Sequence, residues 1–255
     1  MAPTFWRQYW TVRGAVLSIS LLIVGALYAS VQPDMEETGR LLAILLDSGR
    51  LTVGLNQSLI NDPSKGPKGF TPDLFARQMF AVFQQRTGIN LSDLVHAKIP
   101  EPAKPLLARL IEDSKDTIAS YQPVIDIPGL KYKGLIPATF GTETATRFHK
   151  HSGVYLKQTA PAGLYRNPKN KPDEYEAAAF QKFSDPRFTL EGDMVTSDVV
   201  EDGKSLRVML PLFYGKACLS CHGEPKGERD ITGYAREGAK EGTLGGAISV
   251  KLPLP

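Results

Sequence analysis

From Gly14 to Val31 the chain runs GAVLSISLLIVGALYASV, eighteen residues without a charge. That approaches the ~20 apolar residues a membrane-spanning helix needs. Arg7 and Arg13 precede the run, and Asp34, Glu36 and Glu37 follow it. Basic flanks stay in the cytoplasm, so the chain from about Gln32 onward is expected in the periplasm. A cleaved signal peptide is the alternative, with an apolar region of ~7–15 residues ending at an Ala-x-Ala-like site. This run is longer, and Ala26-Leu27-Tyr28-Ala29 is a poor cleavage site. A single-pass inner-membrane anchor (residues 1–33) ahead of one periplasmic domain (34–255) is therefore the expected organisation.

Beyond the anchor the pattern turns helical and then repeats. Shifted by 65 positions, residues 57–91 match residues 122–156 without a gap, with ten of thirty-five positions identical. Gln57/Gln122, Lys68/Lys133, Gly69/Gly134, Pro72/Pro137, Phe75/Phe140, Phe83/Phe148 and Gly88/Gly153 are among the matched pairs. Each copy follows a helix-like stretch, about 35–56 and 102–121. Each then shows a Pro/Gly/Lys loop, a helix opening near the proline and a glycine where that helix should stop. The phenylalanines stand eight apart in both copies, on one helical face, which reads as core rather than a cofactor box. Two copies are too few for a solenoid, so they are expected to pack on each other or on a sheet.

After residue 156 the periodicity changes. A turn-rich segment (Tyr165-Arg166-Asn167-Pro168-Lys169-Asn170-Lys171-Pro172) opens a short helix at about 173–183. Asp193–Val200, Lys204–Phe213 and Gly245–Leu252 read as strands, with Pro211 marking a bend or an edge. Helices first and strands late predict an α+β fold with an antiparallel sheet.

Charge adds an exclusion. Residues 1–33 hold two arginines and no acids, leaving 28 basic against 27 acidic side chains. Such balance gives no electrostatic footprint for nucleic acid. Glycine and proline, 23 and 19 of 255 residues, promise long structured loops.

The chemistry is concentrated late. Cys218-Leu219-Ser220-Cys221-His222 contains both cysteines of the chain, and Cys-x-x-Cys-His is the attachment signal for c-type haem. Two thiols three positions apart can each add to a porphyrin vinyl group, and the adjoining imidazole can ligate the iron. A structural zinc site would need a second ligand pair that His96, His149 and His151 do not space correctly. A thioredoxin-like pair would open a helix, whereas Gly223-Glu224-Pro225-Lys226-Gly227 follows here. A disulfide across so small a loop would staple almost nothing. The expectation is one covalent haem c, with His222 as axial ligand.

For the sixth iron position the candidates are His149, His151, His96, Met194 and Met209, or no residue at all. His149 and His151 occupy positions where the first copy has Gln84 and Arg86, which suits a copy-specific task; alone, each reads as a polar residue on a solvated face. His96 reads as surface and Met209 as core. Arg166 and Asn167 invite a haem-pocket role, since Arg pairs with carboxylates, against a plain turn and a surface ion pair.

The block RNPKNKPDEYE, the KG-x-x-P-x-x-F repeat and the late CLSCHG with GAISVKLP resemble the Tll0287-like haem domains, over most of residues 36–255. That resemblance implies a PAS-like sheet carrying one c-type haem on Cys218, Cys221 and His222. It also implies kinship with periplasmic sensor modules of kinases and chemoreceptors. A family member takes a cysteine as second axial ligand; no third cysteine exists here. Sensor kinases continue into a second membrane helix and a transmitter, whereas this sequence ends at Pro255 after its last strand. Two functions follow as expectations. One is a membrane-anchored redox or diatomic-gas haem sensor signalling through a separate membrane or signalling partner. The alternative is an electron-transfer c-type cytochrome tethered to a membrane redox complex. No nucleophile–base constellation points to an enzyme, and a homodimer stays open.

Overall fold

The computed structural model describes the backbone of residues 8–185 and 192–254, and side chains within these from residue 32 onward. The apolar run 14–31 thus lies outside the described side chains. Among the described residues no helix is long and apolar enough to cross a membrane.

Helix α1 (Gln8–Leu55) leads into a single turn, α2 (Gln57–Ile60). Helices α3 (Pro72–Thr87), α4 (Ala103–Ile125) and α5 (Pro137–Ser152) complete the repeat region. Proline opens both α3 and α5, where its missing N–H costs nothing. Gly88 and Gly153 close them in the left-handed conformation, at φ 74° and 73°, which glycine alone adopts without strain.

The two copies pack on each other. Phe75 and Phe140, equivalent positions, meet at a ring separation of 5.2 Å. The backbone N–H of Lys68 donates to Asp126 Oδ1 (2.9 Å), and that of Lys133 donates to Asn61 Oδ1 (3.0 Å). Asn61 and Asp126 are themselves equivalent, so each copy completes the loop of the other. Gln57 crosses too, from Nε2 to the Leu135 carbonyl (2.9 Å). Both buried lysines turn inward to carbonyls at the end of α4: Lys68 Nζ to Ile125 O and Lys133 Nζ to Ile127 O. Cations near a helix C-terminus are well placed for its dipole.

Four antiparallel strands follow in the order β1-β4-β3-β2: β1 (Tyr155–Thr159), β2 (Thr196–Val200), β3 (Ser205–Phe213) and β4 (Leu244–Pro253). Leu206, Val208 and Leu210 of β3 with Ile248, Val250 and Leu252 of β4 join the helical core. Helix α1 crosses this face closely enough that a Cβ on Gly39 would lie 2.6 Å from Val208 Cγ2. On the other face Met209 and Ala247 pack against α6 (Glu174–Phe183), through Phe180 and Phe183.

The sheet refines three expectations. Strand β1 is additional; its five residues YLKQT pair with β4 from Tyr155↔Lys251 to Thr159↔Ala247. Strand β2 starts at Thr196 rather than Asp193, because Asp193 instead pairs with Arg86 (2.5 Å). Pro211 lies in an interior strand, but β2 reaches only to Met209. At Pro211 one side of β3 is therefore open, and no ladder bond is lost there.

Candidate cofactor-attachment site

Past β3 the chain folds back over the sheet end. The Tyr214 ring covers Gly245 so closely that a Cβ there would stand 2.7 Å from the ring. A 3₁₀ turn (Lys216–Cys218) then runs into one helical turn, α7 (Leu219–His222), ended by Gly223. Residues three apart on such turns share a face, which sets Cys218 and Cys221 side by side. Both are free thiols, neither fully exposed nor fully buried. Burial pushes the Cys221 thiol above its ordinary value.

His222 is gripped from behind. Its Nδ1 donates to Glu237 Oε2 at 2.8 Å, and its ring lies against Tyr214 at 4.9 Å. With Nδ1 carrying the proton toward a carboxylate, Nε2 keeps its lone pair for a metal. Glu237 is fixed in turn by Arg166, at 3.1 Å from Nε and 2.9 Å from Nη2. The same guanidinium reaches Asp230 Oδ2 (2.6 Å) and the Cys221 carbonyl (3.0 Å), and stacks on Tyr234 at 5.3 Å. Burial opposes ionisation of Asp230, yet the Thr232 hydroxyl and Arg166 hold its carboxyl below the usual range. The Ala239 N–H donates to the His222 carbonyl (2.7 Å) and closes the loop.

Other elements converge here. Burial raises the Tyr132 hydroxyl, and Asp230, Cys221 and Tyr234 add to that shift. Burial likewise raises Tyr214 to about 12, with Glu237, Arg166, Cys218 and Arg50 in electrostatic reach. Helix α1, to which Arg50 belongs, also contacts the 3₁₀ turn Lys216–Cys218.

Cys218, Cys221, His222 and Arg166 thus come together. Arg166 spends its donors on the loop itself, as a clamp. Asn167 turns to its own 3₁₀ turn, accepting from the Lys169 N–H at 3.0 Å. The histidines of α5 require a correction: the structure does not bring them to His222. His149 donates from Nδ1 to the Val154 carbonyl (3.1 Å), and His151 from Nδ1 to Asp113 Oδ1 (2.6 Å), beside Arg109. Their end of α5 adjoins Tyr155, which lies level with Lys251 and Arg207 across the sheet. His222 follows the other end of β3, roughly 20 Å away at ~3.3 Å per residue. His96 is exposed on Asp93, and Met209 is fully buried under α6. Met194 is half exposed next to Asp193.

Sequence reasoning missed Glu237, Asp230, Tyr214 and Tyr132. Glu237 is one of several acids in a loop without periodicity, and only the tertiary fold selects it.

A family model described as Tll0287-like matches residues 29–253. No curated protein matches. Among solved structures, the chain is similar to the crystal structure of the cyanobacterial haem-protein Tll0287. The two are 17% identical with a TM-score of 0.42, over 61% of this chain and 97% of that one.

Proposed function

The chain belongs to the Tll0287-like family, and from that premise we propose that it is a mono-haem c protein acting as a redox or gas sensor. In this reading Cys218 and Cys221 would hold one haem, each S–H adding across a vinyl group to form a thioether with nothing released. His222 would ligate the iron through Nε2, the nitrogen that its contact with Glu237 leaves free. The observation that carries the reading is the Glu237 carboxylate 2.8 Å from His222 Nδ1. A carboxylate behind a ligating imidazole fixes its orientation and raises its donor strength. The haem supplies reversible one-electron chemistry at iron; Arg166 and Glu237 hold the ligand that tunes it.

Sensing is favoured over electron transfer by the placement of the other histidines. Electron transfer asks for two firm ligands and little rearrangement, while His96, His149 and His151 are engaged elsewhere. A sixth position without histidine suits a small exogenous ligand such as a diatomic gas. The eighteen-residue apolar run would tether the protein in the inner membrane, with the haem outside and a membrane partner reading the change.

The test is the visible spectrum of the reduced protein, made with haem-attachment machinery, before and after carbon monoxide. A c-type spectrum that shifts at once supports sensing; one that does not shift returns the protein to electron transfer. Cys221→Ala should lose two-point attachment, and normal acid-stable haem in that variant would overturn the central reading. Glu237→Gln should raise the reduction potential by about 60 mV, a tenfold shift between oxidised and reduced forms. An unchanged potential would remove Glu237 from the tuning role.

A further inference from the structure

Lys68 and Lys133 hold equivalent places in the two copies, and both are buried, at 8% and 2% exposure. Their amines meet the same turn at the end of α4, on carbonyls two residues apart, Ile125 O and Ile127 O. Among the described residues neither amine enters an ion pair; the lysine pairs belong to other positions. Asp126, which lies between the two carbonyls, spends its carboxylate on the Lys68 backbone N–H and on Gln122 Nε2, both at 2.9 Å.

Buried charge without an opposite partner is costly, and two like charges side by side oppose each other. A lysine can relieve this by giving up its proton. The hydrogen bonds show which of the two can do so. Lys68 Nζ donates to Lys65 O (3.0 Å), Gly66 O (3.3 Å) and Ile125 O (2.5 Å). Three acceptors match the three hydrogens of an ammonium. Lys133 Nζ donates to a single carbonyl, Ile127 O. The pair thus divides into a saturated ammonium and an amine that can dispense with its charge. Burial, then the adjacent Lys68, holds Lys133 below the ordinary lysine value.

A neutral lysine amine is a nucleophile. Under this cover its electrophile has to be small and uncharged. The loops over the pair leave space for such a molecule. A Cβ on Gly69 or Gly129 would meet nothing within 4 Å, and one on Gly66 would meet only Asp126 O, at 3.9 Å.

We propose that Lys133 is a carbamate site, where its amine adds to carbon dioxide and the product pairs with the Lys68 ammonium. The amine nitrogen bonds to the carbon, one C–O π pair moves onto oxygen, and one amine proton leaves to water. The remaining N–H still donates to Ile127 O. Lys68 turns its longest hydrogen bond, the one to Gly66, onto the new anion. Two unpaired lysines thereby become one ion pair between the copies, of the charge-assisted kind. This site is separate from the haem reading.

The test equilibrates the full chain with isotope-labelled bicarbonate and carbon dioxide at constant pH. Triethyloxonium ion then esterifies any carbamate, and peptide mass spectrometry locates the label. Lys65 and Lys131, exposed in the same two loops, report ordinary surface reaction. The expected result is a labelled ethoxycarbonyl group on Lys133 well above the level on Lys131. In Lys68→Met that label should fall about tenfold, the worth of one hydrogen bond between charged groups. A Lys133 that carries no more label than Lys131 overturns the proposal. A label unchanged in Lys68→Met overturns the pairing. If Lys68→Met does not fold, carbon NMR of the untreated chain under labelled gas decides. A carbamate signal present in the wild type and absent from Lys133→Met supports the site, and its absence from the wild type overturns it.

Discussion

The copy at 57–91 has a side-chain cap at the start of its second helix, while the copy at 122–156 has none. Both share a proline start, a left-handed glycine stop and a phenylalanine on the common axis. They diverge at their helix ends. In the first copy Thr71 caps α3, and Arg86 closes its far end on Asp47 and Asp193. In the second, His151 occupies the place of Arg86 and reaches Asp113, which stands where the first copy has Ser48. The far ends are thus closed by different chemistry on the same geometry. The near ends differ as well: Thr71 caps α3, while α5 opens after Ile136 without a side-chain cap. Duplication supplied the frame, and the two copies diverged in how the ends of their second helices are closed.

The comparison breaks most visibly at its axis. Phe75→Ala and Phe140→Ala should each lower stability by about 3–5 kcal/mol, measured by urea unfolding. The double variant should lose less than the sum, because each single change removes the same contact. Strict additivity would show that the two rings do not share one site. A smaller effect sharpens the contrast at the helix starts. Thr71→Ala should cost about 1 kcal/mol. Ile136→Thr should stabilise the chain by up to about 1 kcal/mol by giving α5 the cap it lacks. No gain from Ile136→Thr in urea unfolding would show that the missing side-chain cap costs α5 nothing.

The smallest effect is a slope with pH. Burial, then the neighbouring Lys68 ammonium, holds Lys133 below the ordinary lysine value. The unfolded chain therefore keeps that proton to higher pH than the folded one. Stability should rise with pH between the lowered value and the ordinary one, reaching its full benefit above the latter. Lys133→Met should flatten this alkaline rise in thermal melts. A slope that survives the substitution would assign it to another group.

Much of this frame was readable in the chain. The 3.6-residue period, the prolines and the glycines placed the starts of α3 and α5 near Pro72 and Pro137 and their ends at Gly88 and Gly153. The strands at 204–213 and 245–252 came within a residue or so, because nearly continuous apolar runs mark interior strands. Strand β1 was not visible: five residues with Lys157 and Gln158 at their centre carry too little alternation. The histidines of α5 show the deeper limit. Their positions on the helix were legible, but only the sheet register reveals that this helix points them away from His222. The block 166–176 divides along the same line. Its turn chemistry was clear, whereas its acids serve a cluster no spacing announces. Glu176, fully buried, meets Lys157 Nζ (2.7 Å), Tyr155 (2.9 Å) and Arg207 (3.2 Å). Arg207 in turn lies between the rings of Tyr155 and Tyr175.

The exchanged loop bonds bear on the order in which the chain can take shape as it is synthesised. Lys68 waits for Asp126, Asn61 waits for Lys133, and Gln57 waits for Leu135. A nascent chain that has released only the first copy holds open loops and an unmatched Phe75. These three bonds therefore form only once both copies are present.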